Sequence, residues 1–220
     1  MSKKYTVVDL FSGAGGLELG FEKAGFDIRF STDIDEYCEK VHLLNRPDIP
    51  FLKIDIHDLT EDIIDKYVDC EVDVLVGGPP CQGFSTIGKR ISSNPNVRKQ
   101  KDPRNTLFKE YIRILKHLKP KCFLMENVRG LMTREKGNIF REIKRTFKET
   151  GYDFRCVVLN AAAYGVPQIR ERVFFFGSRI GIDMTPPTPR FLKMDRKSGK
   201  PLERQLEIWR RLTRTVRIIM

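Results

Sequence analysis

The sequence predicts a doubly wound α/β fold, a mostly parallel sheet with helices on both faces. Three observations carry that prediction. Short apolar runs bounded by Gly, Asp or Pro alternate with stretches whose apolar residues recur at helical spacing. The chain has 220 residues, enough for one α/β domain to bury a sizeable core without disulfide staples. A glycine-rich turn, Ser12 to Gly16, lies between the first apolar run and the first helical stretch.

Taken in order, Tyr5–Asp9 is a continuous apolar run, as expected of a strand buried on both faces. Leu17–Ala24 follows with helical spacing, then a strand at Phe26–Asp33, a helix at Tyr37–Leu44 and a strand at Phe51–Ile54. Thr60–Tyr67 reads as a helix, Val72–Gly77 as a strand, Leu107–Leu118 as a helix and Cys122–Glu126 as a strand. Strands near Arg155–Leu159 and Val173–Gly177 complete the sheet, the last pair read as antiparallel. Two stretches break the rhythm. Ser85–Arg104 has no periodicity and carries six Lys or Arg, so it reads as a long mobile loop. Pro186-Pro187-Thr188-Pro189 marks a linker, which divides the chain into a domain at 1–180 and a basic linker and tail at 181–220.

Charge is distributed unevenly. The formal net charge is +11, but residues 1–78 carry 8 basic and 17 acidic side chains, a net of −9, and residues 79–220 a net of +20. The basic half suits nucleic acid, an acidic membrane surface or an acidic partner, or is simply a solvated face. Five widely spaced cysteines with no C-x-x-C pair, and only three histidines, argue against a disulfide framework or a metal site. Met1–Lys4 leads into strand-like sequence without a signal-peptide apolar region, and no apolar run approaches the ~18 residues of a membrane span. The expectation is a cytoplasmic protein of a reducing compartment with no membrane partner.

Three groups of residues carry the chemistry. In Asp9-Leu10-Phe11-Ser12-Gly13-Ala14-Gly15-Gly16 the glycines let the backbone turn sharply and present helix N-terminal amides to a ligand, but Glu18 stands where a dinucleotide fingerprint needs its third glycine. Asp33, about 20 residues on, suits a ribose diol, and Asp55 could accept from an adenine amino group. An isolated aspartate at either position is more often a helix cap or turn former. Gly77-Gly78-Pro79-Pro80-Cys81-Gln82 places a thiol on the rim at a strand end, a costly arrangement if Cys81 were only a small core hydrophobe.

These segments resemble the catalytic region of DNA (cytosine-5)-methyltransferases. The matches are DLFSGAGGLELGF (Asp9–Phe21), TDID (Thr32–Asp35), Asp55-Ile56, GGPPCQGFS (Gly77–Ser85), RNTLF (Arg104–Phe108), ENVRG (Glu126–Gly130) and QIRERVFFFG (Gln168–Gly177). The resemblance implies a Rossmann-like fold that binds S-adenosylmethionine through Phe11, Gly13, Gly15, Asp33, Ile34, Asp55, Ile56, Pro80 and Leu107. It implies Cys81 as nucleophile and Glu126, Arg170 and Arg172 as contacts to the target cytosine or the phosphate beside it. It further implies duplex DNA as partner with the cytosine flipped out, Lys89, Arg90, Arg98, Lys99, Lys101 and Arg104 closing on phosphates, and use in a bacterial restriction-modification system at the nucleoid.

The resemblance also sets expectations about what is missing. The family continues after QIRERV into a target-recognition region and two further motifs, whereas Lys193–Met220 matches no family motif. The chain therefore reads as the catalytic subunit of a split enzyme with a second subunit supplying recognition, as a truncated form, or as a cofactor-binding remnant. Apolar residues at Leu202, Leu206, Trp209, Leu212, Val216 and Ile219 are spaced for one helix face that could dock on a partner or cover exposed core. An RNA cytosine methyltransferase and a non-catalytic DNA-binding protein are the competing functions. A dinucleotide oxidoreductase would leave Pro-Pro-Cys-Gln unexplained.

Overall fold

A computed structural model describes residues 4–80 and 106–190. Cys81, the basic segment 85–104 and the tail 191–220 lie outside the described residues.

Seven strands form one sheet in the order β3-β2-β1-β4-β5-β7-β6. They are β1 (Thr6–Leu10), β2 (Asp27–Asp33), β3 (Phe51–Lys53), β4 (Val74–Gly77), β5 (Cys122–Val128), β6 (Asp153–Asn160) and β7 (Glu171–Ser178). The pairs from β3 through β5 are parallel, and β7 runs antiparallel to both β5 and β6. The helices are α1 (Gly16–Lys23), α2 (Glu36–Asn45), α3 (Glu61–Tyr67), α4 (Leu107–Leu118) and α5 (Asn138–Lys148). The predicted doubly wound α/β fold is the observed one. Among the described residues no helix is long and apolar enough to cross a membrane.

Alternation along each strand sends side chains to two unequal cores. Val8, Leu10, Phe30, Leu75, Phe123 and Met125 face α3, α4 and α5 in a large cluster, whereas Val7, Ile28 and Val76 meet Leu17 and Phe21 of α1 in a small one. In the large core, Phe123 stacks on Phe147 with ring centres 4.5 Å apart, and Tyr152 meets it edge-on at 5.3 Å. Gly177 on β7 makes room for that ring, since a Cβ there would lie 2.0 Å from Phe123. Tyr111 of α4 is wholly buried and donates to the Leu75 and Leu124 carbonyls.

Three features differ from the sequence expectation. Helix α5 was not predicted, although Ile139, Ile143 and Phe147 recur at intervals of four and are all buried. Charged residues between them and left-handed backbone at Glu135, Lys136 and Gly137 just ahead hid the start of the helix. β5 runs two residues beyond Glu126 because Asn127 and Val128 continue the antiparallel ladder with Val173 and Arg172. The segment read as the start of the linker is tied to β6 and to the 3-10 turn Ala161–Tyr164 that follows it: Arg155 pairs with Asp183, Tyr164 donates to the Pro187 carbonyl, and the Arg190 amide donates to the Ala163 carbonyl.

Asp9 lies within β1, wholly buried, with neither carboxylate oxygen in a hydrogen bond. Burial, and then the neighbouring Glu18 carboxylate, push its pKa well above the usual range. The folded state therefore holds a proton that the unfolded chain releases near pH 4, and stability falls as pH rises from there toward the raised pKa. Asp9→Asn is expected to match wild type in urea midpoint at pH 4 and to exceed it at pH 8. An equal difference at both pH values would contradict the assignment. Phe123→Ala is expected to lose about 3–5 kcal/mol in urea unfolding through the cavity it leaves against Phe147 and Tyr152.

Candidate active site

In doubly wound sheets ligands settle outside the carboxyl ends of the strands, where neighbouring connections leave in opposite directions. Here that place is the β1–β4 boundary, because α1 leaves β1 toward one face while α4 packs on the other. Two cavities open along this edge, and Phe11 and Gly78 line both.

The first cavity, about 540 Å³, is lined by Phe11, Asp33, Ile34, Asp55, Ile56, Pro80 and Leu107, with Thr32, Asp35, Ile54, His57 and Gly78. Its size lies within the range for small-ligand sites, roughly 300–1,000 Å³. Three carboxylates, Asp33, Asp35 and Asp55, stand among apolar walls. Asp33, at the end of β2, accepts from the Gly13 amide at 2.9 Å and the Asp35 amide at 3.0 Å, so it also pins the glycine turn. Asp55 accepts from the amide and the Nδ1 of His57, which hold its pKa below the usual carboxylate range. Phe11 has φ 55°, the left-handed region that bulky residues rarely adopt and that concentrates at functional sites.

The second cavity, about 590 Å³, holds Glu126 at the end of β5 with Arg170 and Arg172. The reversal of β7 matters here, because its first residues lie at the carboxyl ends of the parallel strands and Arg172 falls opposite Val128. Arg172 Nε meets Glu126 Oε1 at 2.7 Å, while Arg170 Nη2 stands off at 3.8 Å and is 48% exposed. Burial raises the Glu126 pKa against the opposing pull of Arg172 and Arg170. Glu126 Oε2 faces β4, since a Cβ on Gly78 would lie 3.4 Å from it.

The structure thus groups Phe11, Asp33, Ile34, Asp55, Ile56, Pro80 and Leu107 in one cavity and Glu126, Arg170 and Arg172 in the other. Gly13 lines the second cavity, with Ser12, Ala14 and Gly16, rather than the first. Gly15 lines neither; it is the N-cap of α1, with φ 79°. Cys81 lies outside the described residues, one position beyond Pro80.

Sequence reasoning missed several contributors. Asn127 is buried and its Nδ2 donates to the Pro79 carbonyl at 3.0 Å, anchoring the Pro-Pro turn to β5. A second polar residue directly after Glu126 in a strand of otherwise apolar residues was the available signal. Asn160 accepts from the Ala162 and Arg170 amides and so fixes the backbone that carries Arg170. Leu159, Tyr164 and Phe174 add apolar wall around the Glu126 cavity.

Comparison with known proteins places the chain in a family. The family described as C-5 cytosine-specific DNA methylase matches residues 5–214. Type II methyltransferase M1.HphI of Haemophilus parahaemolyticus is 45% identical over 186 residues, covering 84% of this chain and 48% of that protein. Type II methyltransferase M.AquIA of Picosynechococcus is 40% identical over 200 residues, covering 86% of this chain and 77% of that one. Among solved structures, a DNA modification methyltransferase encoded within an E. coli prophage is 32% identical with a TM-score of 0.70, covering 90% of this chain and 53% of that one. Spodoptera frugiperda DNMT2 is 27% identical with a TM-score of 0.63, covering 90% and 57%. The chain spans about half the length of several of these relatives. It belongs to the C-5 cytosine-specific DNA methylase family.

Proposed function

We propose that the chain transfers a methyl group from S-adenosylmethionine to carbon 5 of cytosine in DNA through a covalent adduct with Cys81, as the modification component of a Type II restriction-modification system. The observation that carries this reading is the Glu126–Arg172 pair at 2.7 Å, with the second Glu126 oxygen turned toward the strand end that leads through Pro79 and Pro80 to Cys81.

The cavity between Phe11 and Asp55 suits the cofactor. The Asp33 and Asp55 carboxylates can accept from ribose hydroxyls and an adenine amino group, and Phe11, Ile34, Ile56 and Leu107 offer apolar faces to a purine. When bound, S-adenosylmethionine supplies an electrophilic methyl group. Carbon 5 of cytosine is too electron-poor to take it unaided. Cys81, as thiolate, forms a bond to carbon 6 and pushes electron density onto carbon 5. Glu126, whose pKa is raised by burial, holds a proton at cytosine N3 and neutralises the charge that builds there. Arg172 donates to the cytosine carbonyl oxygen and, with Arg170, stabilises developing negative charge. After methylation the carbon-5 proton passes to solvent water, its C–H electrons form the carbon 5–carbon 6 double bond, and the carbon 6–sulfur bond breaks to return Cys81 as thiolate. A cytosine inside a duplex cannot reach this edge, so the base is extruded, and the basic residues of 85–104 offset the cost through phosphate contacts.

In assays with labelled cofactor and duplex DNA, the wild-type chain is expected to label cytosine at carbon 5. Cys81→Ala should transfer nothing while still binding S-adenosylhomocysteine. Transfer by Cys81→Ala, or none by the wild type, would overturn the reading. Glu126→Gln is expected to slow transfer about 10²–10⁴-fold with cofactor affinity unchanged.

A further inference from the structure

Under the glycine-rich turn lies a buried group of charged side chains for which methyl transfer has no direct use. Glu18, in the first turn of α1, is wholly buried, and its carboxylate faces His42 Nδ1 at 3.4 Å and Arg46 Nε at 3.5 Å. Both partners belong to the end of α2. His42 is buried, meets the Phe51 ring of β3 in a tilted contact at 4.8 Å and donates from Nε2 to the Ile49 carbonyl at 3.0 Å. Arg46 is the C-cap of α2, and its guanidinium also donates to Glu22 of α1 at 3.0 Å. Asp9 adds a second buried carboxyl from β1.

This group touches the turn itself. A Cβ on Gly15 would lie 3.1 Å from both Arg46 Nη1 and Glu18 Oε2, so the two side chains pack against the Gly15 backbone where it takes φ 79°. No side chain caps α1 at that point. The other end of α2 begins at Asp35, and Asp33 and Ile34, just before it, line the cavity assigned to the cofactor. The Glu18–Arg46 contact therefore ties the turn after β1 to the helix that follows the Asp33 rim. A buried carboxylate facing a guanidinium tolerates little displacement, because separating them leaves the wholly buried Glu18 carboxylate without that cation while Arg46 keeps only Glu22.

We propose that Glu18 and Arg46 are positioning residues for cofactor binding: they set the spacing between the Phe11–Gly15 turn and the Asp33–Ile34 rim, and so the affinity for the adenosine part of the cofactor. The inference rests on the cofactor reading of that cavity. Neither residue lines it; both act through the backbone of Gly15 and through α2.

Calorimetric titration of the full chain with S-adenosylhomocysteine tests this. Glu18→Gln and Arg46→Gln are each expected to weaken binding about tenfold. Arg46→Lys should recover part of that loss, and the double variant Glu18→Gln/Arg46→Gln should bind no worse than either single one, because one contact has been broken. Asp33→Ala serves as the cavity control. If Asp33→Ala weakens binding while the Glu18 and Arg46 variants bind as wild type, the positioning role is wrong and the cofactor reading stands. If the variants melt at lower temperature yet bind as wild type in the folded range, the cluster is merely structural and the proposal fails. If wild type does not bind, or Asp33→Ala binds equally well, the cofactor reading fails and the proposal with it. Should Glu18→Gln not fold, the comparison of Arg46→Gln with Arg46→Lys decides.

Discussion

The close approach of β1 and β4 at Gly77 is the constraint on which the rest depends. A Cβ at this position would lie 2.6 Å from the Leu10 carbonyl oxygen and 3.1 Å from the Tyr111 ring, so any side chain would force the two strands apart. With them together, the Gly78 amide donates to the Leu10 carbonyl, and the chain leaves the sheet on both sides of one seam. Phe11 departs from one strand and Gly78 from the other, and these two residues form the wall shared by both cavities. Opening this seam would separate the cavity read as the cofactor site from the cavity read as the base site.

The reversed strand β7 makes a second contribution that a fully parallel sheet could not. A parallel strand ends at the carboxyl edge, whereas β7 begins there, so the residues just before and at its start face the same crevice as the end of β5. Glu126 and Arg172 thus meet from opposite chain directions, and burial acts on the carboxyl while the guanidinium limits the effect. The result is a carboxyl that takes up a proton more readily than a solvated one, beside a fixed cation, a combination suited to holding a proton on a base while charge develops.

Much of this was legible in the residues. The alternation of apolar runs and helical stretches led to the observed α/β fold, and the strand ends at Asp33, Gly77 and Glu126 marked the edge where the cavities lie. What stayed hidden had physical reasons. Helix α5 follows left-handed residues that break its pattern, and its buried stripe is only three residues wide. Asn127 acts through its side-chain amide on the Pro79 carbonyl, a contact 48 residues away in sequence. Glu18 reads only as a break in a dinucleotide fingerprint until packing shows His42 and Arg46 closing over it, and Gly15 reads as a ligand-facing glycine until its backbone is seen to meet those side chains instead. Each depends on tertiary proximity that periodicity does not encode.

The central claim is that one crevice at the β1–β4 seam brings cofactor and cytosine together across Phe11 and Gly78. A crystal structure of the chain with S-adenosylhomocysteine tests it most directly. The account predicts the adenosine between Phe11 and the Asp33 and Asp55 carboxylates, with the sulfur at the Phe11–Gly78 wall and turned toward Glu126. Adenosine bound in the Glu126–Arg172 cavity, or a sulfur directed away from that wall, would contradict it.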